Sequence, residues 1–289
     1  MDVPKAWFEV SVDVPRSCSE AVANFLIETG SPGLQVEELD DTAVLTAYFA
    51  HAPALESLCQ FAAAIGAAAS ESALRVRART IAEEDWADNW KRHFNPQCIG
   101  ARLYVCPSWD CVPPAGRVAV VIDPGMAFGT GQHASTRGCL ELLERAVETQ
   151  PVRRALDVGT GSGVLAIALA KLGVAEVWAT DVDPAACAIA AANAELNGVR
   201  PQLHIASTFE STRGPFDLIT ANLFANVLQE LAPQLTRLLS PGGIVICSGL
   251  LVEDEQRIRA AYESLSCDLW ARRDEDSWIT VALQRQDIR

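Results

Sequence analysis

Hydrophobic and polar side chains alternate near the start of the chain, and this period of two predicts a β-strand with one buried face. Its apolar set is Phe8, Val10, Val12 and Val14. A helical pattern follows and ends before Gly30, and the next patterns predict strands at residues 34–39, 43–49 and 74–80 and a helix at 55–65. The order β-α-β-β-α-β is that of ferredoxin-like sandwiches, so we expect residues 1–80 to form a small α+β domain.

An aromatic stripe occupies the segment after this domain. Trp86, Trp90 and Phe94 recur at intervals of four residues, which places them on one face of a helix. Such a stripe is most often a packing surface. We therefore expect residues 81–95 to form a linker helix between two domains.

Apolar strands alternate with helical patterns from about residue 118 onward, which is typical of a parallel α/β sheet. Strands are predicted at residues 118–122, 154–158, 176–180, 202–206, 216–221, 244–248 and 278–283. The expected fold class is α/β, with a Rossmann-like seven-stranded domain over residues 96–289 preceded by the small ferredoxin-like domain.

Composition and charge narrow the class of protein. The 289 residues are 49% hydrophobic, which is enough for a sizeable core. The chain has no long apolar run and no basic leader, so we expect neither a membrane span nor a secretion signal. The formal net charge of −14 leaves few cations for a phosphate backbone and disfavours direct nucleic-acid binding. We expect a cytoplasmic monomer.

Nine cysteines and four histidines are scattered without the spacing of metal ligands. The chain has no C-x-x-C motif, and the closest cysteine pair is Cys106 and Cys111. We expect reduced thiols, mostly within the core, and no metal site.

The N-terminal domain is strongly acidic over most of its length. No Lys or Arg occurs between Arg16 and Arg75, and the acidic residues include a cluster of Glu37, Glu38, Asp40 and Asp41. A surface without cations suits the docking of a basic protein. The alternative is an acidic surface that only keeps the protein soluble.

A glycine-rich turn between a strand and a helix carries the sharpest chemical signal. Gly159, Gly161 and Gly163 occupy alternate positions after the strand predicted at residues 154–158. Positions without a Cβ let a ligand approach the backbone beyond the carboxyl ends of the strands, where doubly wound sheets bind their ligands. The spacing differs from the dinucleotide pattern G-x-G-x-x-G, because Val164 stands where the last glycine would fall.

Two carboxylates indicate a cofactor that has a ribose and a positive charge but no phosphate. Asp157 precedes the first glycine, where it would repel a phosphate but suit a cation. Asp181 ends the next strand, 22 residues after Gly159, and is placed to accept hydrogen bonds from both ribose hydroxyls. S-adenosylmethionine has a ribose, a sulfonium cation and no phosphate, so it matches each feature.

Asn222 stands at the end of a further predicted strand, over the expected position of the methyl group. Methyltransferases that act on amine nitrogens often carry Asn-Pro-Pro-aromatic at this point, and here both prolines are missing. The amide oxygen would accept a hydrogen bond from the nitrogen and aim its lone pair. The alternative is that Asn222 only caps the next helix.

Residues 123–136 precede the glycine turn and would cover the same pocket; they include Phe128, Gly129 and Thr136. The alternative is a purely structural role, in which Ser135 or Thr136 caps the helix that follows.

Several segments together carry a family resemblance: residues 123–136, 156–163, 181–184 and 221–223, with 84–91 and 106–109. Through them nearly the whole chain resembles the PrmA family, the methyltransferases of ribosomal protein L11. The loop Phe-Gly-Thr-Gly-x-His is far more specific than the glycine turn. The chain departs from the family at Ala134-Ser135, where Pro-Thr is usual, and at Leu223-Phe224, where Ile-Leu is frequent. These departures bear on fine contacts and not on the activity.

The resemblance implies a substrate-recognition domain at residues 1–80, a linker helix and a class I methyltransferase domain. It implies transfer of methyl groups from S-adenosylmethionine to amines of ribosomal protein L11, either lysine side chains alone or also the N-terminal α-amine. The catalytic position would be Asn222, and the cofactor positions Thr136, Gly159, Asp181 and Asn222, with Phe128, Gly129, Gly161 and Gly163 adjoining.

Two other functions stay open from the sequence. One is a related methyltransferase that acts on a lysine or glutamine of another protein. The other is a nicotinamide-dependent oxidoreductase, which Val164 and the lack of phosphate-binding cations disfavour.

Overall fold

The computed structural model describes residues 6–31, 34–39, 41–49, 52, 57, 60–61, 75–82, 94–123, 131–208 and 212–286. The chain divides into two compact units, Met1–His93 and Phe94–Arg289. Each unit has its own hydrophobic core.

The N-terminal unit contains a four-stranded antiparallel sheet in the order β2-β3-β1-β4. Its elements are β1 (Ala6–Pro15), α1 (Ser19–Glu28), β2 (Leu34–Leu39), β3 (Thr42–Phe49) and β4 (Arg75–Ala82). Val10, Val12 and Leu45 on one sheet face are buried with Leu26 of α1. This strand order is that of the predicted ferredoxin-like sandwich. Of the predicted second helix at 55–65, residues 57, 60 and 61 are described, and they are helical.

Polar side chains cover the opposite face of this sheet. Arg79 of β4 forms a bidentate ion pair with Glu9 of β1, and Arg77 pairs with Asp13. Two of the three arginines of β4 therefore neutralise carboxylates of β1, a pairing that the charge pattern along the sequence does not reveal. Glu37 and Asp41 of the β2–β3 hairpin are exposed, whereas the side chain of Glu38 and all of Asp40 lie outside the described residues.

The predicted linker helix at 81–95 lies mostly outside the described residues, which exclude Trp86 and Trp90. Its predicted ends are wrong. Residues 81 and 82 belong to β4 because the strand continues its pairing with β1, and residues 94–96 are not helical.

A three-stranded sheet opens the C-terminal unit and consists of β5 (Gln97–Ile99), β6 (Leu103–Cys106) and β7 (Val118–Val121). The strand predicted at residues 118–122 therefore does not belong to the large sheet. The structure also joins Cys106 and Cys111 by a disulfide, which corrects the expectation that all thiols are reduced. The turn after β6 brings the two Cα atoms to 5.2 Å, within the usual range for such a bond.

The large sheet has seven strands in the order β10-β9-β8-β11-β12-β14-β13, and its first five strands run parallel. The strands are β8 (Arg154–Val158), β9 (Glu176–Thr180), β10 (Leu203–Ala206), β11 (Phe216–Asn222), β12 (Leu239–Leu251), β13 (Cys267–Glu275) and β14 (Trp278–Arg285). β13 was not predicted from the sequence, because this edge strand carries charged side chains that obscure its apolar positions.

Helices cover both faces of the large sheet. They are α2 (Ala134–Thr149), α3 (Val164–Lys171), α4 (Pro184–Leu196), α5 (Ala225–Leu238) and α6 (Glu255–Glu263). The cores place α2, α3 and α4 on one face and α5 and α6 on the other. No helix in the described part of the chain is long and apolar enough to cross a membrane. The expected α/β fold with a Rossmann-like seven-stranded sheet is confirmed.

Candidate active site

The glycine turn follows β8 at the point where the sheet order reverses between β9 and β11, the switch point at which doubly wound folds bind ligands. Gly159, Gly161 and Gly163 all have positive φ angles, of 72°, 52° and 85°. A Cβ on Gly159 would also lie 2.5 Å from Cδ2 of Leu223. The backbone conformation of the turn therefore favours glycine at this position, and the Leu223 side chain packs closely against it.

Asp157 is completely buried behind this turn. Its carboxylate accepts hydrogen bonds from Thr160 Oγ1 and Thr220 Oγ1, both at 2.7 Å. Burial raises the pKa of the Asp157 carboxyl to about 6, against the lowering effect of these two hydroxyls. At neutral pH the carboxylate is therefore mostly ionised and is a buried negative charge directly before the glycine turn.

Asp181 lies directly after β9 and meets the glycine turn from the side. Its Oδ2 accepts the Gly161 N–H at 2.9 Å and its Oδ1 accepts the Asp183 N–H at 3.0 Å. Each carboxylate oxygen can accept a second hydrogen bond, so Asp181 retains capacity for two ligand hydroxyls. Val182, 91% exposed, offers an apolar surface beside it that the sequence analysis did not single out.

Asn222 ends β11 and contacts Thr136 in the first turn of α2. The Asn222 Nδ2 atom donates to Thr136 Oγ1 at 3.3 Å. The helix-cap alternative for Asn222 is wrong, because the N-cap of α5 is Phe224 and no side chain caps it. The cap alternative for Ser135 and Thr136 is also wrong, because the N-cap of α2 is His133.

Two asparagines fix the strand that leads into the site, and sequence reasoning missed them: Asn193 lies in α4 and Asn197 directly follows it. Asn197 accepts from the Val121 N–H at 2.9 Å and donates to the Val121 carbonyl. Asn193 accepts from the Asp123 N–H at 3.0 Å and donates to the Ser162 carbonyl in the glycine turn at 2.8 Å. The sequence feature that could have identified them is a pair of amide side chains four residues apart at the end of an alanine-rich helix.

The structure thus brings six of the predicted site residues to the carboxyl edge of the large sheet: Thr136, Gly159, Gly161, Gly163, Asp181 and Asn222. Phe128 and Gly129 lie outside the described residues. Asp123, just before that segment, is held by Ser108, whose N–H and hydroxyl bind its two carboxylate oxygens.

The turn fits a cofactor that lacks phosphate. The N–H groups of Gly159 and Thr160 donate to the Thr180 carbonyl at 2.8 and 2.9 Å, and the Gly161 N–H donates to Asp181. Backbone amides engaged in this way are not available to a phosphate, which the charge of Asp157 would also repel. Among the described residues, no group of three or more acidic, His or Cys side chains could hold a metal ion.

Comparison with known proteins gives one consistent result. The family model "Ribosomal protein L11 methyltransferase (PrmA)" matches residues 6–286. Proteins named ribosomal protein L11 methyltransferase from Syntrophotalea carbinolica and Pelotomaculum thermopropionicum are 38% and 37% identical to this chain. These matches cover 94% and 96% of this chain, and 96% and 98% of the two relatives.

A solved structure supports the same similarity. The crystal structure of the ribosomal protein L11 methylase from Lactobacillus delbrueckii subsp. bulgaricus superposes with a TM-score of 0.60 at 32% identity. The match covers 67% of this chain and 99% of that one.

The buried charge of Asp157 predicts a pH-dependent stability. Because folding raises the pKa of this carboxyl to about 6, the ionised form destabilises the folded state above that pH, and the effect vanishes below the unfolded pKa. Asp157→Asn should therefore stabilise the ligand-free protein by roughly 1–3 kcal/mol at pH 7.5 and by close to nothing near pH 4. Urea denaturation at both pH values measures this. An Asp157→Asn protein that is equally stabilised at both would contradict the assignment.

Proposed function

The chain belongs to the PrmA family of ribosomal protein L11 methyltransferases, and from this premise we propose that it methylates amino groups of ribosomal protein L11 in the cytoplasm. The cofactor is S-adenosylmethionine. The proposed acceptors are lysine side chains and the N-terminal α-amine. The observation that supports an amine acceptor is the Asn222 amide, which the contact with Thr136 holds at the carboxyl edge of the sheet beside the glycine turn.

The side chains at this edge fit the cofactor. Asp181 would hold the ribose hydroxyls with its remaining lone pairs, and the glycine turn would admit the ligand to the backbone. The ionised Asp157 would favour a positively charged ligand over a neutral or anionic one. When bound, S-adenosylmethionine supplies a methyl group made electrophilic by the attached sulfonium.

Asn222 would orient the amine. Its Nδ2 atom donates to Thr136, and its Oδ1 atom lies beside Gly249, where the missing Cβ leaves space. That oxygen would accept an N–H of the incoming amine and so orient its nitrogen. The acceptor is an ammonium at neutral pH, so it must first lose a proton to solvent before its lone pair can attack. Catalysis then depends on proximity and orientation more than on proton transfer from a side chain.

We propose that the N-terminal unit recognises the protein substrate while the C-terminal unit carries out the chemistry. The supporting observation is the distribution of charge on this unit. Glu37 and Asp41 are exposed on the β2–β3 hairpin. Two arginines of β4, in contrast, are paired with carboxylates of β1. An exposed acidic hairpin attracts a basic partner and accelerates its association.

Mass spectrometry of purified ribosomal protein L11 tests the proposal. After incubation with the enzyme and S-adenosylmethionine, L11 should gain whole methyl groups, and fragmentation should place them on lysine side chains and the N-terminal amine. L11 incubated with cofactor alone is the control. Methyl groups found on glutamine, or an unmodified protein, would refute amine methylation.

The role of Asn222 predicts a selective loss of turnover. Asn222→Ala removes the oxygen that orients the amine, so kcat should fall by roughly a hundredfold, while the affinity for S-adenosylhomocysteine changes far less. The matched control is Asn226→Ala, an exposed amide on α5. Single-turnover rates and calorimetric titration give the two quantities. Equal losses of turnover and cofactor affinity would contradict an orienting role.

The docking role predicts a change in KM. Reversing Glu37, Glu38, Asp40 and Asp41 to Lys should raise KM for L11 severalfold and leave kcat unchanged, because the acidic cluster acts only on association. The wild-type KM should rise with salt, since exposed charges are screened. Glu148→Lys, an exposed reversal on α2, is the control. An unchanged KM in the cluster variant would mean that these carboxylates only keep the protein soluble.

A further inference from the structure

Ser248 lies next to Asn222, on the neighbouring strand β12. The two residues are direct register partners on the parallel strands β11 and β12, and Ser248 is completely buried. Its backbone carbonyl accepts the N–H of Leu223 at 3.0 Å. The main chain of Ser248 therefore fixes the point at which the chain leaves β11, immediately after the proposed catalytic amide.

The side chain of Ser248 reaches in the other direction, to α2. Its Oγ lies 2.9 Å from the Ser135 carbonyl and 2.7 Å from Thr280 Oγ1 on β14. A carbonyl only accepts, so the Ser248 hydroxyl donates to Ser135 and the Thr280 hydroxyl donates to Ser248. The donor and acceptor of both hydrogen bonds are thereby determined, and the bonds run from Thr280 through Ser248 to the first turn of α2.

Together with the Asn222–Thr136 hydrogen bond, these contacts form a closed ring through Thr136, Ser135, Ser248, Leu223 and Asn222. Ser135 precedes Thr136 in the chain, and Thr136 accepts the hydrogen bond of Asn222 Nδ2. Ser248 thus contacts the residue before Thr136 through its side chain and the residue after Asn222 through its backbone. The direct contact between Asn222 and Thr136 is long, at 3.3 Å, and the path through Ser248 holds the same two elements together a second time.

Two glycines pack closely against these contacts. A Cβ on Gly138 of α2 would overlap Thr280 Oγ1, so only glycine lets α2 approach β14 at this point. A Cβ on Gly249 would lie 2.6 Å from the Leu223 carbonyl oxygen. Both glycines border these contacts, and a side chain larger than hydrogen at either position would separate the elements that the contacts join.

We propose that Ser248 is a positioning residue for methyl transfer, which sets the distance between Thr136 on the cofactor side and Asn222 on the amine side. This rests on the proposed function, in which Asn222 orients the amine. Small errors in the position of a reacting group lower the rate of transfer without weakening the binding of either substrate.

The first test is Ser248→Ala in the full-length protein. It should lower kcat about tenfold, while KM for L11 and the dissociation constant of S-adenosylhomocysteine change less than about twofold. Ser248→Thr keeps the hydroxyl and should restore most of kcat per folded molecule. The matched control is Thr236→Val, which removes a buried hydroxyl that faces Cys267 Sγ, away from the site. A loss of kcat in Ser248→Ala no greater than that in Thr236→Val would overturn the proposal.

A double-mutant cycle with Asn222→Ala separates the two proposals. If Ser248 acts through Asn222, Ser248→Ala should cost little further kcat once Asn222 is gone. If Asn222→Ala lowers kcat and adding Ser248→Ala lowers kcat again by the same factor as in the wild type, the positioning role of Ser248 is wrong. If Asn222→Ala itself turns over like the wild type, the proposed role of Asn222 fails and the inference fails with it.

Discussion

The parallel pairing of β8 with β11 is the constraint on which the rest of the site depends. Ala221 pairs with Val158, so the end of β11 lies directly beside the turn after β8, and the Leu223 side chain packs against Gly159. This brings Asn222 to the same edge of the sheet as Asp181, which the Gly161 N–H fixes from the other side. Parallel strands supply this edge, because their carboxyl ends all meet on one side.

The site carries a buried charge that folding alone does not favour. Asp157 loses its hydration, and two threonine hydroxyls only partly compensate, as the raised pKa shows. A buried carboxylate at this position suits the binding of a positively charged cofactor, and this function has a cost in the stability of the ligand-free protein.

Local patterns in the sequence predicted the turn and the residues at the strand ends. One βαβ unit contains the three glycines, Gly159, Gly161 and Gly163, together with Asp181. The structure has the predicted turn at these glycines and places Asp181 beside it. Contacts between distant segments could not be predicted in this way. Ser248 lies within a long apolar strand, and its partner Thr280 is more than thirty residues away, so no short-range pattern links them. The family resemblance supplied the substrate, which no spacing of residues encodes.

The proposed site is tested most directly by a crystal structure of the full chain with S-adenosylhomocysteine. We expect both ribose hydroxyls to contact the Asp181 carboxylate, the sulfur to lie over the glycine turn, and the Asn222 amide to face the position of the transferred methyl group. A ligand bound away from the carboxyl ends of β8, β9 and β11, or a sulfur turned away from Asn222, would contradict it.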